Sequence, residues 1–520
     1  MKIKYLYSII LIAFTLGCTN LEESLFSGIN ENDYPQTAGQ AAVAHLSSYD
    51  ALTGLFDDGG FWYLTQELTS DELVAPTRGA DWYDGGKWLE LQYHSWANSS
   101  DAVKGMWNKL WEGIAESNSI LDKTLSTEES ALRVKAEVET IRSLYYFWLF
   151  DNFGDVPYLT TYYTAPVQPF RNKRANIFDS LTTTLEKNLP LLNSVKNPTY
   201  KNFASKEMAL TLLAKLYLNG AVYKGSSNNE YYQKTIQYCN ELLSMSYLSL
   251  ADNVMDLFGI ATSANSAEMI FTIPFNEVSK KGFSLHMRSL GYISKRTFNM
   301  TDQPWNGFAV IPTFFNKYEE TDLRRDGYFL HGLQFDYLGA PIMDEKTEKQ
   351  ADFNPNMIIP EMTTANMVAE GIESFNMTFD GARVKKYEIY AGAKQYLNVN
   401  FPVFRLADVI FMKAEAELRL NGAVSSETMT LVNQIWTRAN QTPPAGGLTL
   451  DNILDERGKE LFAEGHRRTD MIRFGTFDQP FWAMGQTNMT GVPVPNDVQN
   501  IFPIPLGAIS SNANLEAAPQ

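Results

Sequence analysis

Apolar residues return at helical spacing over most of the first 250 positions and again beyond 400. Ala41, Ala42, Val43, Leu46, Tyr49 and Leu52 set one apolar face on a helix within 36–55, and Gly54 ends it. Further helices are predicted at 103–121, 132–150, 177–192, 205–218 and 231–243. They arrive in pairs with short connections, as stacked helical hairpins do. Residues 56–100 break the pattern and read as an aromatic-rich loop. From 251 to 400 the apolar runs shorten, as in Glu268-Met269-Ile270-Phe271-Thr272-Ile273, while Gly, Pro, Asn and Asp accumulate. That stretch predicts loops and small strands. Helical spacing resumes at 406–420, 428–438 and 450–464, before a Pro-rich irregular tail.

An internal repeat supports this layout. Ala-Lys-Leu-Tyr-Leu-Asn-Gly at 214–220 and Ala-Glu-Leu-Arg-Leu-Asn-Gly at 416–422 agree at five of seven positions. Each places Asn-Gly at a helix end, where Gly can adopt the left-handed geometry that stops a helix, and a second helix follows. Repeated hairpins of this kind are the tetratricopeptide (TPR) pattern in degenerate form. The expected fold is mostly α: a right-handed stack of TPR-like helical hairpins with a large irregular insertion of loops and short strands. The organisation is a leader at 1–17, a tether at 18–35 and a helical scaffold at 36–250 carrying the loop 56–100. The insertion at 251–400 follows, then a final hairpin, last helix and tail at 401–520.

The leader is read from its chemistry. Lys2 and Lys4 precede an apolar run at 5–16, and Gly17-Cys18 closes it. The run is too short to span a bilayer, which needs about 20 apolar residues. Cys18 is the expected lipidation point, its acyl chains holding the mature protein on a membrane surface. A bacterial lipobox usually has Leu where Thr15 stands. An ordinary export signal with an incidental cysteine is the alternative.

At 520 residues and 44% hydrophobic, the chain can bury a large core. Its formal charge of −17, more negative still once Lys2 and Lys4 are removed, disfavours nucleic acid and anionic lipid as partners. Cys239 is the only thiol besides Cys18, so an acylated chain has no internal disulfide. The aromatic content of 13% exceeds what a helical core tends to use, and some rings are expected to face a ligand.

Nucleophile, phosphate-loop, dinucleotide and zinc motifs are absent, and the five histidines (45, 94, 286, 331 and 466) lack ligand spacing. No metal or cofactor is expected. Asp57-Asp58-Gly59-Gly60 has oxygen ligands suited to calcium, but such acidic turns are usually only turns. A glycosidase needs only two carboxylates, which 60 acidic residues readily supply. The loop from Ser70 to Trp88 stands out, since Asp71, Arg78, Asp81, Trp82 and Trp88 offer both flat rings and polar partners. Sugars present C–H faces that stack on rings and hydroxyls that want carboxylate, amide or guanidinium groups. The competing reading packs Trp82 and Trp88 under the loop and pairs Arg78 with Asp71 or Asp81. A second candidate is Trp305, in Asp302-Gln303-Pro304-Trp305-Asn306-Gly307 of the insertion.

The segment Glu456-Arg457-Gly458-Lys459-Glu460-Leu461-Phe462-Ala463-Glu464-Gly465-His466-Arg467-Arg468-Thr469-Asp470-Met471-Ile472-Arg473 resembles the C-terminal signature of the SusD/RagB family of outer-membrane glycan-binding lipoproteins. Arg405-Leu406-Ala407-Asp408-Val409, Phe153-Gly154-Asp155-Val156-Pro157-Tyr158 and Phe502-Pro503-Ile504-Pro505 resemble further family motifs, in the same order. Thr19-Asn20-Leu21-Glu22-Glu23, directly after Cys18, is similar to the surface-export tag of Bacteroidetes lipoproteins. From the residues alone, 456–473 is structural: Glu456, Glu460 and Glu464 share a helix face, with Arg457, Arg467, Arg468 and Arg473 able to pair with them or with Asp470. The resemblance implies a non-enzymatic protein on the cell surface, lipid-anchored in the outer membrane. It would capture oligosaccharide on loops such as 70–88 and 302–307, through Asp71, Arg78, Asp81, Trp82, Trp88 and Trp305, and deliver it to a SusC-like TonB-dependent transporter. The rival readings are a surface glycoside hydrolase using a carboxylate pair, and a structural lid whose cargo is peptide.

Overall fold

Eight helices of a dozen residues or more carry the architecture described by the computed structural model, which covers residues 45–78, 81–124, 127–163, 167–345, 347–356, 378–478 and 500–519. The expected leader, Cys18 and the tether lie outside the described residues. Where the spacing predicts a helix within 36–55, the described residues form a helical turn at His45–Tyr49 and a short helix at Asp50–Gly54, and two further short helices follow, α1 (Trp62–Leu68) and α2 (Lys87–Gln92). The stack follows as α3 (Asp101–Lys123), α4 (Glu129–Phe153), α5 (Arg174–Asn188), α6 (Lys206–Leu218) and α7 (Asn229–Leu243). It resumes with α8 (Leu406–Asn421), α9 (Ser426–Arg438) and α10 (Leu450–Leu461), and the shorter α11 (Arg467–Phe474) closes it. The fold is mostly α and TPR-like, as the spacing predicts. Side-chain caps set several of the boundaries. Ser205 accepts from Met208 N, Ser425 from Thr428 N, and Thr449 and Asn452 form a reciprocal capping box.

Each helix from α3 to α8 packs on the next, and α7 lies between α6 and α8. The insertion is therefore spliced into the stack without interrupting it. Its ends are held together by antiparallel pairing of β2 (Met269–Phe275) with β4 (Val399–Arg405). α4 is the central helix, buried at every position from Thr140 to Phe153 rather than along one stripe.

Three local expectations are corrected. Residues 56–100 contain α1 and α2 and are not a continuous loop. Gly220 does not stop its helix but opens a helical turn, Gly220–Lys224, and Gly225 (φ 71°) provides the left-handed stop; a Cβ on Gly220 would press on the Tyr231 ring. In the second repeat Gly422 (φ 72°) ends α8 as expected. Finally, α10 stops at Leu461, so Glu464 lies beyond the helix, past Ala463 in left-handed geometry (φ 57°).

Candidate functional site

The early loop and the insertion meet through a two-residue antiparallel pairing of β1 (Leu73–Val74) with β3 (Ala309–Val310), Leu73 opposite Val310. Just before β3, residues 305–308 lie along 287–290, with Trp305 N donating to Met287 O at 2.6 Å and Gly307 N to Arg288 O at 2.8 Å. Just after β1, Arg78 and Asp81 exchange backbone hydrogen bonds of 2.9 and 3.1 Å. The two candidate loops thereby share one face. Trp82 Nε1 donates to Trp305 O at 2.9 Å, and Arg78 Nη2 donates to Gly307 O at 3.2 Å. Gly307 permits this contact, because a Cβ there would overlap the Trp82 indole.

Several expected contact residues serve from inside instead. Trp88 is 1% exposed, donates Nε1 to Asp84 Oδ2 at 2.8 Å, and sits 5.5 Å from Phe308 ring to ring. Gly85 and Gly86 (φ 71° and 89°) turn the chain directly into α2, which puts Trp88 on that helix's inner side. Trp82 is 9% exposed, with its ring 5.7 Å from Trp88 and 5.4 Å from Phe308. Arg78 is 2% exposed and spends its donors on the carbonyls of Gly307 and Asp380. Burial pulls its guanidinium down to about 10. Asp71 is buried against Arg467, Nε to Oδ1 at 2.6 Å; burial pushes its carboxyl up, but Arg467 outweighs that and holds it below its usual range. Asp71, Arg78 and Trp88 thus hold the face together and do not present it, and Trp82 presents little of its ring.

Solvent meets Asp81 and part of Trp305. Sequence reasoning missed two partners. Tyr292, 37% exposed, donates its hydroxyl to Asp81 Oδ2 at 2.6 Å across 211 residues of chain. Partial burial, then the hydrogen bond to Asp81, raises its phenol to about 12. Arg288 is the hub beneath: its guanidinium lies 5.4 Å from the Trp305 ring and 5.8 Å from Trp88, anchored by Asp58 at 2.6 Å. Asp58 also faces Lys87 at 3.6 Å, so the Asp57-Asp58-Gly59-Gly60 turn is engaged by cationic side chains. Neither Tyr292 nor Arg288 sits in a local pattern that marks it; only the tertiary fold brings them to this face.

A family model described as the SusD family matches residues 267–520, and one described as starch-binding associating with outer membrane matches 63–218. The chain belongs to the SusD/RagB family. It is similar to the starch-binding protein SusD of Bacteroides thetaiotaomicron, at 24% identity over 99% of this chain and 98% of that one. Among solved structures, surface glycan-binding protein A from Bacteroides thetaiotaomicron in complex with laminarihexaose aligns with a TM-score of 0.71 at 19% identity, covering 91% of this chain and 97% of the other. A laminarin-binding SusD-like protein aligns with a TM-score of 0.70 at 20% identity, over 91% and 97%.

The SusD signature block of this chain is a buried ionic network. Glu460 meets Arg405 at 2.8 Å, Arg438 at 2.7 Å and Arg324 at 3.0 Å. Glu464 meets Arg405 at 2.7 Å and Lys386 at 2.6 Å. Arg457 bridges Asp408 and Asp470, each at 2.9 Å, and Arg473 joins Glu415 to Asp470. Most partners of the signature glutamates therefore come from the insertion, β4 and α9, and the pair Arg467–Asp71 ties the block to the candidate face. The nearest approach to an acid–base pair is Glu67 with Glu72, both buried beneath the N–H groups of Gly465 (2.8 Å) and Ala463 (3.0 Å). Burial raises Glu67 from 4.5 to about 7 and Glu72 well above its usual value, which favours the protonated carboxyl at both, away from solvent. A groove of about 1110 Å³ opens elsewhere, between residues 316–321 and 436–459, but its one indole, Trp436, is buried.

Proposed function

We propose that this SusD-family protein is a surface-exposed, non-enzymatic glycan-binding lipoprotein, anchored in the outer membrane through Cys18. In this reading it captures oligosaccharides and delivers them to a SusC-like TonB-dependent transporter. The observation that carries it is the face on which Tyr292 hydrogen-bonds Asp81 and which Trp82 joins to the backbone of partly exposed Trp305: two partly exposed rings and a carboxylate, backed by buried Trp82, Trp88, Arg78 and Arg288. Such a surface stacks on sugar C–H faces and hydrogen-bonds their hydroxyls without supplying a nucleophile. The names of the relatives, which bind starch, laminarin or laminarihexaose, support the glycan class. The family description that mentions the outer membrane supports the location. Affinity per sugar unit is modest and grows with the number of units engaged, which suits a protein that must release its cargo.

The buried state of Glu67 and Glu72 argues against the hydrolase reading, because a catalytic acid must reach the glycosidic oxygen. Incubating the purified protein with a panel of polysaccharides and following both retention and products tests the proposal. Retention of at least one glycan with no new reducing ends is expected. Cleavage abolished by removing a single carboxylate would establish the hydrolase instead.

A further inference from the structure

A small antiparallel meander lies next to the candidate face. Gly332–Leu333 pairs with Asp352–Phe353, Phe335 bridges Pro341, and Met343 bridges Gln350. Alternate side chains Gln334, Ile342, Ala351 and Phe353 are buried, which sends Leu333, Phe335 and Met343 outward. The hairpin tip is rigid: Asp336 Oδ1 accepts from Leu338 N at 3.0 Å and Ala340 N at 2.9 Å, and Gly339 (φ 85°) completes the turn. Two rings stand free on it, Tyr337 at 58% exposure and Phe335 at 44%. Exposed rings fixed on a rigid turn call for an occupant.

Continuity names that occupant. Tyr337 N donates to Arg296 O at 3.0 Å, and Arg296, in the short helix Ser294–Thr297, lies four residues after Tyr292, whose hydroxyl binds Asp81. The Asp81–Tyr292 pair, the exposed Arg296 and Tyr337 are therefore contiguous, joined by these hydrogen bonds and the short segment 292–296. Together Tyr292, Arg296, Tyr337 and Phe335 offer both stacking surface and hydrogen-bond donors over more than one sugar's reach, which suits a chain of linked sugars rather than one ring.

We infer that the 335–338 hairpin is a distal platform that binds the far units of an extended oligosaccharide whose near units sit on Trp305, Tyr292 and Asp81. The inference rests on the proposed glycan-binding function. It makes the protein select for chain length.

The test is calorimetric titration of the whole protein with ladders of two to eight units from several glucan, mannan and galactan backbones. The parent is compared with a Phe335→Ala, Tyr337→Ala double variant, Tyr337→Phe and Trp305→Ala. For whichever ladder binds, the double variant is expected to weaken the longest members about tenfold while leaving two- and three-unit members unchanged. Tyr337→Phe is expected to keep most of the long-chain affinity, and Trp305→Ala to weaken every length. Equal affinities of parent and double variant at all lengths would overturn the platform while leaving the near site standing. The same holds if the double variant binds every glycan normally but fails to associate with the transporter, which would make the hairpin a protein-docking surface. If the parent binds no ladder, the glycan reading fails and the platform falls with it.

Discussion

Trp88 and Trp305 flank the same Arg288 guanidinium, yet only Trp305 is offered to solvent, and substitution separates the two roles. Trp88→Ala empties a fully packed position and is expected to cost about 3–5 kcal/mol in chemical denaturation. Trp305→Ala is expected to leave the melting temperature nearly in place while weakening glycan binding. The chemical types on the face were legible in the sequence; their orientation was not. Gly85 and Gly86 read equally well as loop flexibility and as the sharp entry to a helix, and only the second buries Trp88. Asp71 was unreadable for a different reason, since its partner Arg467 lies almost 400 residues away. Glu67 and Glu72 give a pH signature. A carboxyl whose folded value is raised favours the protonated native state, so its stability is fully present below about 4.5 and is lost as pH rises through about 7. Denaturation at about pH 5 and about pH 8 should show a loss of roughly 2 kcal/mol or more, which Glu67→Gln reduces. An unchanged pH slope in that variant would contradict the raised Glu67 carboxyl.

At the scale of elements, the long helices were legible because their apolar spacing is strong and their caps are local. Helices α3 to α10 fall within a few residues of where the periodicity places them. α1 and α2 were hidden because each is too short to establish a period. The signature block was recognisable as ionic, but the network joins α10 to Arg405 at the end of β4, Arg438 on α9, and Arg324 and Lys386 in the insertion. No spacing along one helix reveals that. Arg405 is the keystone, since it contacts Glu268, Glu460 and Glu464 while fully buried. Arg405→Ala leaves three carboxylates short of a partner and is expected to destabilise by about 3–5 kcal/mol or to prevent soluble expression. Arg405→Lys is expected to recover little, because one ammonium does not reproduce the guanidinium fork.

For the molecule as a whole, the stack gives rigidity, the early loop and the spliced insertion together are proposed to give the binding face, and the leader is proposed to give location. Cys18→Ala is expected to release the protein from the outer-membrane fraction without altering glycan affinity, measured by fractionation and by mass spectrometry of the acylated N-terminus. The measurement that bears most directly on the account is titration of oligosaccharides onto the parent and onto an Asp81→Ala, Tyr292→Ala, Trp305→Ala triple variant, with thermal melts to verify that both are folded. The parent is expected to bind at least one glycan without cleaving it, and the folded triple variant to lose that binding. A folded triple variant that binds as the parent does would contradict the assignment of this face.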